Sequence, residues 1–260
     1  MDPKTNPIPK HVSRLSAALD EEGDLDVVRD IGATDPMYAY APEMYFAAGQ
    51  AALRCIRLAM LAADLQRVNR VLDFGCALGR VLRSLRAGFP EATITACEIR
   101  KYDLEWCRKT FGEKNVVGVL SAREPEEVRL DGQFDVIWCG SILSHIGKDR
   151  WTRFLKLFES NLAPGGVLVF TVYGPYIAEL VRSGKSLLNL TPEQAAKVIR
   201  DYDETGFGFD LTREDGDAIV SRSWVCQQLD SVPSLELVGF AERAWLWQDV
   251  VACAKTRDQD

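Results

Sequence analysis

The sequence predicts an α/β fold, a mostly parallel sheet with helices on both faces, and three observations carry that prediction. Between positions 70 and 172 short apolar runs of strand length alternate with longer stretches of helical period. The stretch Arg70 to Leu85, R-V-L-D-F-G-C-A-L-G-R-V-L-R-S-L, joins a strand to a helix through a turn punctuated by Gly75 and Gly79. An acid, Glu98, stands 23 residues after Gly75, at the end of the next strand.

Composition bounds the rest. A length of 260 residues suits one large domain, or a domain carrying a sizeable insertion. Hydrophobic residues at 47% and charged residues at 27% exclude wholesale disorder and a membrane class. No apolar run reaches the length of a membrane span, and M-D-P-K-T-N-P-I-P-K lacks the apolar core of a signal peptide, so a cytoplasmic protein is expected. A net charge of -7 with no long basic cluster argues against a nucleic-acid partner. The seven cysteines, at 55, 76, 97, 107, 139, 226 and 253, contain no C-x-x-C and sit in apolar runs, so they read as reduced core residues. With only His11 and His145 as histidines, no metal site is expected.

The elements follow in order. Residues 1–40 read as a loose tail and an acidic, weakly amphipathic lead-in helix. From Pro42, suited to a first helical position, a helix is expected to Leu65. Then come a strand at Arg70 to Phe74, a helix to about Phe89, a strand at Thr93 to Glu98 and a helix at Tyr102 to Phe111. Val116 to Leu120 and Phe134 to Cys139 read as strands, Trp151 to Asn161 as a helix, and L-A-P-G-G as a turn into a strand at Val167 to Val172. After Gly174 the alternation stops, which marks residues 41–174 as the core and 175–232 as an inserted cap. Within the insertion Thr191-Pro192-Glu193-Gln194 is a capping box opening a helix to about Asp201. T-G-F-G-F at 205–209 reads as an aromatic loop and Trp224 to Leu229 as a short helix. Residues 233–260 supply two strands, Leu235 to Trp247 and Asp249 to Ala254, that complete the sheet.

Glycine in the turn permits positive φ and close approach of a ligand to the backbone, and the helix start offers unpaired N–H groups. A nucleotide-like cofactor suits that geometry. The dinucleotide pattern G-x-G-x-x-G fails here, because Ala77 and Arg80 occupy the positions of its second and third glycines. The stretch resembles instead the first motif of class I S-adenosylmethionine-dependent methyltransferases, D/E-x-G-x-G-x-G, matched at Asp73, Gly75 and Gly79 and departing at Ala77. F-D-V-I-W-C-G-S-I-L-S-H-I at 134–146, L-A-P-G-G-V-L-V-F-T-V-Y-G at 162–174, M-Y-F-A-A-G at 44–49 and Q-D-V-V at 248–251 are similar to a bacterial small-molecule branch of that family.

The resemblance implies a Rossmann-like methyltransferase fold, a mostly parallel seven-stranded sheet with an antiparallel last strand. It implies S-adenosyl-L-methionine as cofactor, held by Tyr45, Gly49, Asp73, Gly75, Cys76, Ala77, Gly79, Glu98, Ile99, Ser121, Ala122, Cys139, Gly140 and Ser141. Glu98 is positioned for ribose hydroxyls, and Ser121 and Ala122 for the adenine edge. The implied acceptor is a small molecule, sugar-like or a secondary metabolite, methylated on oxygen, with neither nucleic acid nor membrane as partner. N-P-P-Y and D-P-P-Y are absent after the fourth strand, which disfavours methylation of a planar nitrogen. His145 is the chosen general base, its ordinary pKa of about 6.5 lying nearest neutrality. Tyr173, Asp203 and Glu204 could take that role instead. Tyr40, Tyr45, Phe46, Tyr176, Phe207, Phe209 and Trp224 are enough aromatic surface to line an acceptor pocket. A cofactor-binding protein without catalysis and a nicotinamide-dependent oxidoreductase stay open on the residues alone.

Overall fold

A computed structural model of the protein describes residues 25–112, 115–185, 188–210 and 216–257. Most of the expected tail and lead-in therefore lies outside the described residues. Helices α1 (Pro36–Tyr40) and α2 (Pro42–Ala62) precede β1 (Arg70–Phe74), α3 (Leu82–Gly88), β2 (Thr93–Glu98) and α4 (Lys101–Phe111). Then follow β3 (Val116–Leu120), β4 (Phe134–Cys139), α5 (Lys148–Asn161) and β5 (Leu162–Val172). The insertion holds α6 (Pro175–Arg182), α7 (Pro192–Thr205), β6 (Phe207–Asp210), β7 (Asp217–Val220) and α8 (Arg222–Leu229), and β8 (Leu235–Trp245) and β9 (Gln248–Lys255) close the chain.

The main sheet runs β3-β2-β1-β4-β5-β9-β8, and β6 and β7 pair separately. Strand β9 lies antiparallel to both β5 and β8, so β8 points the same way as β1 to β5 and only β9 is reversed. Chain order reverses between β1 and β4, and it is outside the carboxyl ends at such a switch that parallel sheets bind ligands.

Alternation along the strands divides two apolar layers. Leu72, Ile137, Leu168 and Phe170 face α5 with Trp151, Phe154 and Phe158, while Val71, Ile94, Val136 and Val169 face α2 to α4 with Leu53, Ile56 and Leu82. With both faces covered, successive residues of β1, β4 and β5, such as Val71 and Leu72, Val136 and Ile137, and Leu168 and Val169, are apolar on both sides of the sheet. A third, small cluster of Ile177, Ala178, Val181, Val198 and Ile219 lies within the insertion.

Four expectations are corrected. Helix α2 stops at Ala62, where Leu65 N–H bonds back to Met60 O at 2.8 Å and Asp64 turns left-handed at φ 52°. The L-A-P-G-G segment is already strand, since Leu162 pairs with Phe134 before a register shift carries the ladder to Val136 and Val167. Thr205 to Phe209 is no loop: Gly206, at φ 78°, ends α7, and Phe207 starts a hairpin strand paired with β7. Finally, the insertion is only partly outside the core, because Phe207, Ala218, Val220, Trp224, Val225 and Leu229 share the α5-side layer.

Candidate functional site

The turn after β1 is built from three left-handed residues, Gly75 at φ 79°, Ala77 at 45° and Gly79 at 85°. Gly75 N–H and Cys76 N–H both donate to Cys97 O, at 2.8 and 3.1 Å, tying the turn to the end of β2. Positive φ and space both require glycine at its ends. A Cβ on Gly75 would stand 2.6 Å from Ile142 Cδ1, and one on Gly79 2.5 Å from Phe111 Cε2. Ala77 holds its left-handed conformation with a Cβ, and its N–H donates to Glu98 Oε2 at 2.9 Å.

Glu98 is buried and also accepts from Arg100 N–H, at 2.9 Å on Oε1; each oxygen keeps a second lone pair. Asp73 is 2% exposed, and its Oδ2 is buried with no hydrogen-bond partner. Burial, and then the negative charge of Glu98, push its carboxyl up to about 7, against the pull of Arg80. Ser121 N–H donates to Glu98 O at 2.9 Å, and Ser121 and Ala122 are half-buried beside it. Ile99 is 46% exposed. Asp73, the turn, Glu98, Ile99, Ser121 and Ala122 thus gather along the carboxyl ends of β1 to β3.

The remaining expected residues divide. Cys139 is fully buried among apolar side chains. Gly140 packs on the Trp138 indole, where a Cβ would come within 2.8 Å of Nε1. Ser141 is left-handed at φ 61° and half-buried. Tyr45 and Gly49 face protein. The Tyr45 hydroxyl donates to Asp35 Oδ2 at 2.5 Å, and Gly49 lets α2 lie on the entry to α3, 2.7 Å from Arg80 O were a Cβ present. Burial, then Asp35, raise the Tyr45 phenol well above its ordinary range.

Sequence reading missed two arginines here. Arg83, 1% exposed, donates from Nε to Gly79 O at 3.1 Å and from Nη1 to Asp30 O at 3.1 Å and to Val28 O, and its Nη2 reaches Tyr45 Oη at 3.4 Å. Arg80 lies 5.0 Å over the Trp245 ring, and its charge acts on Asp73. Beyond Gly79 and Asp73, their partners, Val28, Asp30, Tyr45 and Trp245, lie far away in the chain and give no local signal.

At the end of β4, His145 is 31% exposed at its side chain. Its Nδ1 is 2.8 Å from Gly216 O and 3.3 Å from Asp217 Oδ1, and its Nε2 is 3.4 Å from Ser141 Oγ. Tyr173 packs edge-on against the ring at 5.6 Å between centroids. Asp203 and Glu204 are exposed on α7, where Asp203 pairs with Arg182. Among the aromatics, Phe207 and Trp224 stack at 4.6 Å and are core, and Phe46 lies under Arg29 and Arg83. Tyr40 is 70% exposed. Tyr176 is 40% exposed and lines a cleft of about 370 Å³ with Glu242, Arg243, Leu246 and Trp247.

Residues 46–204 match a family profile described as a methyltransferase domain. The chain belongs to the class I S-adenosylmethionine-dependent methyltransferase family. Two malonyl-[acyl-carrier protein] O-methyltransferases are similar to it in sequence. That of Halalkalibacterium halodurans is 30% identical over 108 residues, covering 40% of this chain and 39% of the relative. That of Acetivibrio thermocellus is 31% identical over 117 residues, covering 45% and 40%. The match therefore spans about two fifths of the length of these curated relatives. A solved S-adenosylmethionine-dependent methyltransferase from Clostridium acetobutylicum superposes with a TM-score of 0.59 over 85% of this chain and 98% of its own, at 11% identity, a likeness of fold. Among the described residues no group of three or more His, Cys, Asp or Glu is placed to hold a metal ion, and no helix is long and apolar enough to cross a membrane.

Proposed function

We propose that this methyltransferase moves a methyl group from S-adenosylmethionine to a hydroxyl oxygen of a small-molecule acceptor. Three features fit the cofactor: the unpartnered Asp73 oxygen, the left-handed turn from Gly75 to Gly79, and the buried carboxylate of Glu98. In this reading Glu98 takes the ribose hydroxyls, Ser121 and Ala122 meet the adenine edge, and Asp73 and Arg80 offer opposite charges to the amino-acid moiety. When bound, the cofactor supplies a methyl on a sulfonium with a neutral thioether as leaving group. The chain must then align the acceptor, exclude water and take one proton.

The observation that supports an oxygen acceptor bearing a proton is His145 after the end of β4, its side chain 31% exposed and its Nε2 3.4 Å from the Ser141 hydroxyl. The similar malonyl-carrier enzymes are named for a different oxygen acceptor, a carboxyl, which is already ionised near neutrality and needs no base. A base at this place therefore favours a hydroxyl of a sugar-like or secondary metabolite.

The test has two stages. Calorimetry with S-adenosylhomocysteine should give saturable binding that Gly75→Val abolishes; unchanged affinity in a folded Gly75→Val protein rejects the site. Labelled methyl transfer to hydroxyl and carboxyl acceptors should then favour hydroxyls. His145→Asn should lower kcat about 10²- to 10⁴-fold. Binding without transfer to either class supports a non-catalytic role, and transfer that His145→Asn leaves intact points to a carboxyl acceptor.

A further inference from the structure

The hydrogen bonds around His145 have a direction, and following them in turn assigns their donors. Ser141 N–H donates to Thr171 Oγ1 at 2.8 Å, so Thr171 turns its own proton toward Gln248 Oε1, 2.6 Å away. That orientation of the Gln248 amide aims its Nε2 at Ser141 Oγ, 2.9 Å away. Ser141 Oγ, which accepts from Gln248, lies 3.4 Å from His145 Nε2, a contact long enough to give way to an acceptor hydroxyl. On the far side of the ring Nδ1 faces two acceptors, Gly216 O and Asp217 Oδ1, and must carry the proton. Asp217 is 4% exposed and comes from β7, in the insertion, while Gly216 is 71 residues away from His145 in sequence.

We propose that Asp217 is the positioning residue of the catalytic base: it holds His145 with Nδ1 protonated and Nε2 unprotonated, and stabilises the imidazolium once Nε2 has taken the acceptor proton. Thr171, Gln248 and Ser141 fix the ring from the other side. The inference rests on His145 being the base. The step balances without a further reagent: the acceptor O–H bond breaks, its proton passes to Nε2, the oxygen forms the new bond to the methyl carbon, and the carbon–sulfur pair returns to sulfur. Asp217 keeps its charge throughout and sits beside the positive ring that results. Core and insertion must meet to make this base, so undocking of β7 from the β4 end removes it.

Among the described residues the ionisable groups facing the ring are Asp217 from β7 and Tyr173 after β5; Ser141 and Gln248 on the opposite side are neutral. The chain has only two histidines, so the full-length protein with His11→Gln, labelled with ¹⁵N-histidine, reports one imidazole. Above its titration the spectrum should show Nδ1 protonated and Nε2 unprotonated. In Asp217→Asn the titration midpoint should fall by about one pH unit, since the carboxylate no longer favours the charged ring. Asp217→Glu should recover part of that shift. A wild-type spectrum with the proton on Nε2 overturns the proposal, as does an unmoved midpoint in a folded Asp217→Asn protein. If Asp217→Asn does not fold, the wild-type tautomer and Asp217→Glu still decide. In methyl transfer, Asp217→Asn should lower kcat about 10- to 100-fold with acceptor KM unchanged; a rise in KM alone also overturns it. Failure of all methyl transfer would reject the functional reading, while the imidazole spectra would still judge the hydrogen-bonded arrangement.

Discussion

At the scale of the residue, the turn carries a conflict between Ala77 and its backbone. A residue with Cβ in the left-handed region is strained by roughly 1–2 kcal/mol, partly offset in an Ala→Gly exchange by about 0.4–1 kcal/mol of extra unfolded-state entropy. Ala77→Gly should therefore stabilise the protein by up to about 1.6 kcal/mol in urea unfolding and keep or tighten S-adenosylhomocysteine binding. A large loss of affinity would mean that the turn follows another path. Asp73 makes a pH prediction. Its carboxyl is held up to about 7, so the folded chain keeps a proton that the unfolded chain releases near the ordinary 3.8. The folded state thus binds more protons between about pH 4 and 7, and this group's contribution to stability falls as pH rises through that window. A bound ammonium favours the carboxylate, so binding of S-adenosylhomocysteine should tighten by up to about tenfold per unit from pH 5 to 7, then level off. Asp73→Asn should flatten that slope; calorimetry in buffers of different ionisation enthalpy would count the released proton. The places of Asp73, Gly75 and Glu98 were legible in the sequence because they follow from spacing along one strand–turn–strand unit. Asp217, Gln248 and Arg83 were not, because what they do depends on partners brought near only by folding.

At the scale of the element, legibility followed the same rule. The capping box of α7 was readable, and it forms: Gln194 N–H donates to the Thr191 hydroxyl at 3.3 Å, and Thr191 N–H to Gln194 Oε1 at 2.6 Å. The hairpin of β6 and β7 was hidden because its glycines mimic a loop. Gly208 in fact lets β6 press against Val198 O of α7. The nearness of α2 to the turn followed from the expected roles of Tyr45 and Gly49, but the contacts that dock α1 and α2 there were hidden, and they run through Arg83. The Asp35 carboxylate caps α1 through Met37 N–H at 2.9 Å and accepts from Tyr45, whose hydroxyl meets the Arg83 guanidinium. Arg83→Met should keep the stem's packing but strand Val28 O and Asp30 O, costing about 2–4 kcal/mol in denaturant unfolding. If the loss is under about 0.5 kcal/mol, the N-terminal segment is held by its apolar contacts alone.

At the scale of the whole molecule, the insertion is two things. Its second half, β6 to α8, joins the main core: Trp224 meets Trp151 edge-on at 4.9 Å, and Val220 N–H donates to Tyr173 O at 2.8 Å. Among the described residues its first half, α6 and α7, buries apolar side chains only in the small cluster of Ile177, Ala178, Val181 and Val198 with Ile219. Few buried apolar contacts mean a low free energy of local opening, so α6 and α7 should open before the sheet does. They follow directly from the carboxyl end of β5, which places them where a cover over cofactor and acceptor would have to be. A sulfonium must be kept from water while the acceptor is aligned, and a cover of low local stability that gains order on binding meets that need. Hydrogen exchange should therefore show fast exchange in α6 and α7 without ligand and slow exchange in β7 and α8. With S-adenosylhomocysteine, protection should rise at Asp73 to Gly79, around Tyr45 and within 203–210, with no change in α8. Protection confined to the glycine turn would leave α6 and α7 as a surface appendage with no part in covering cofactor and acceptor.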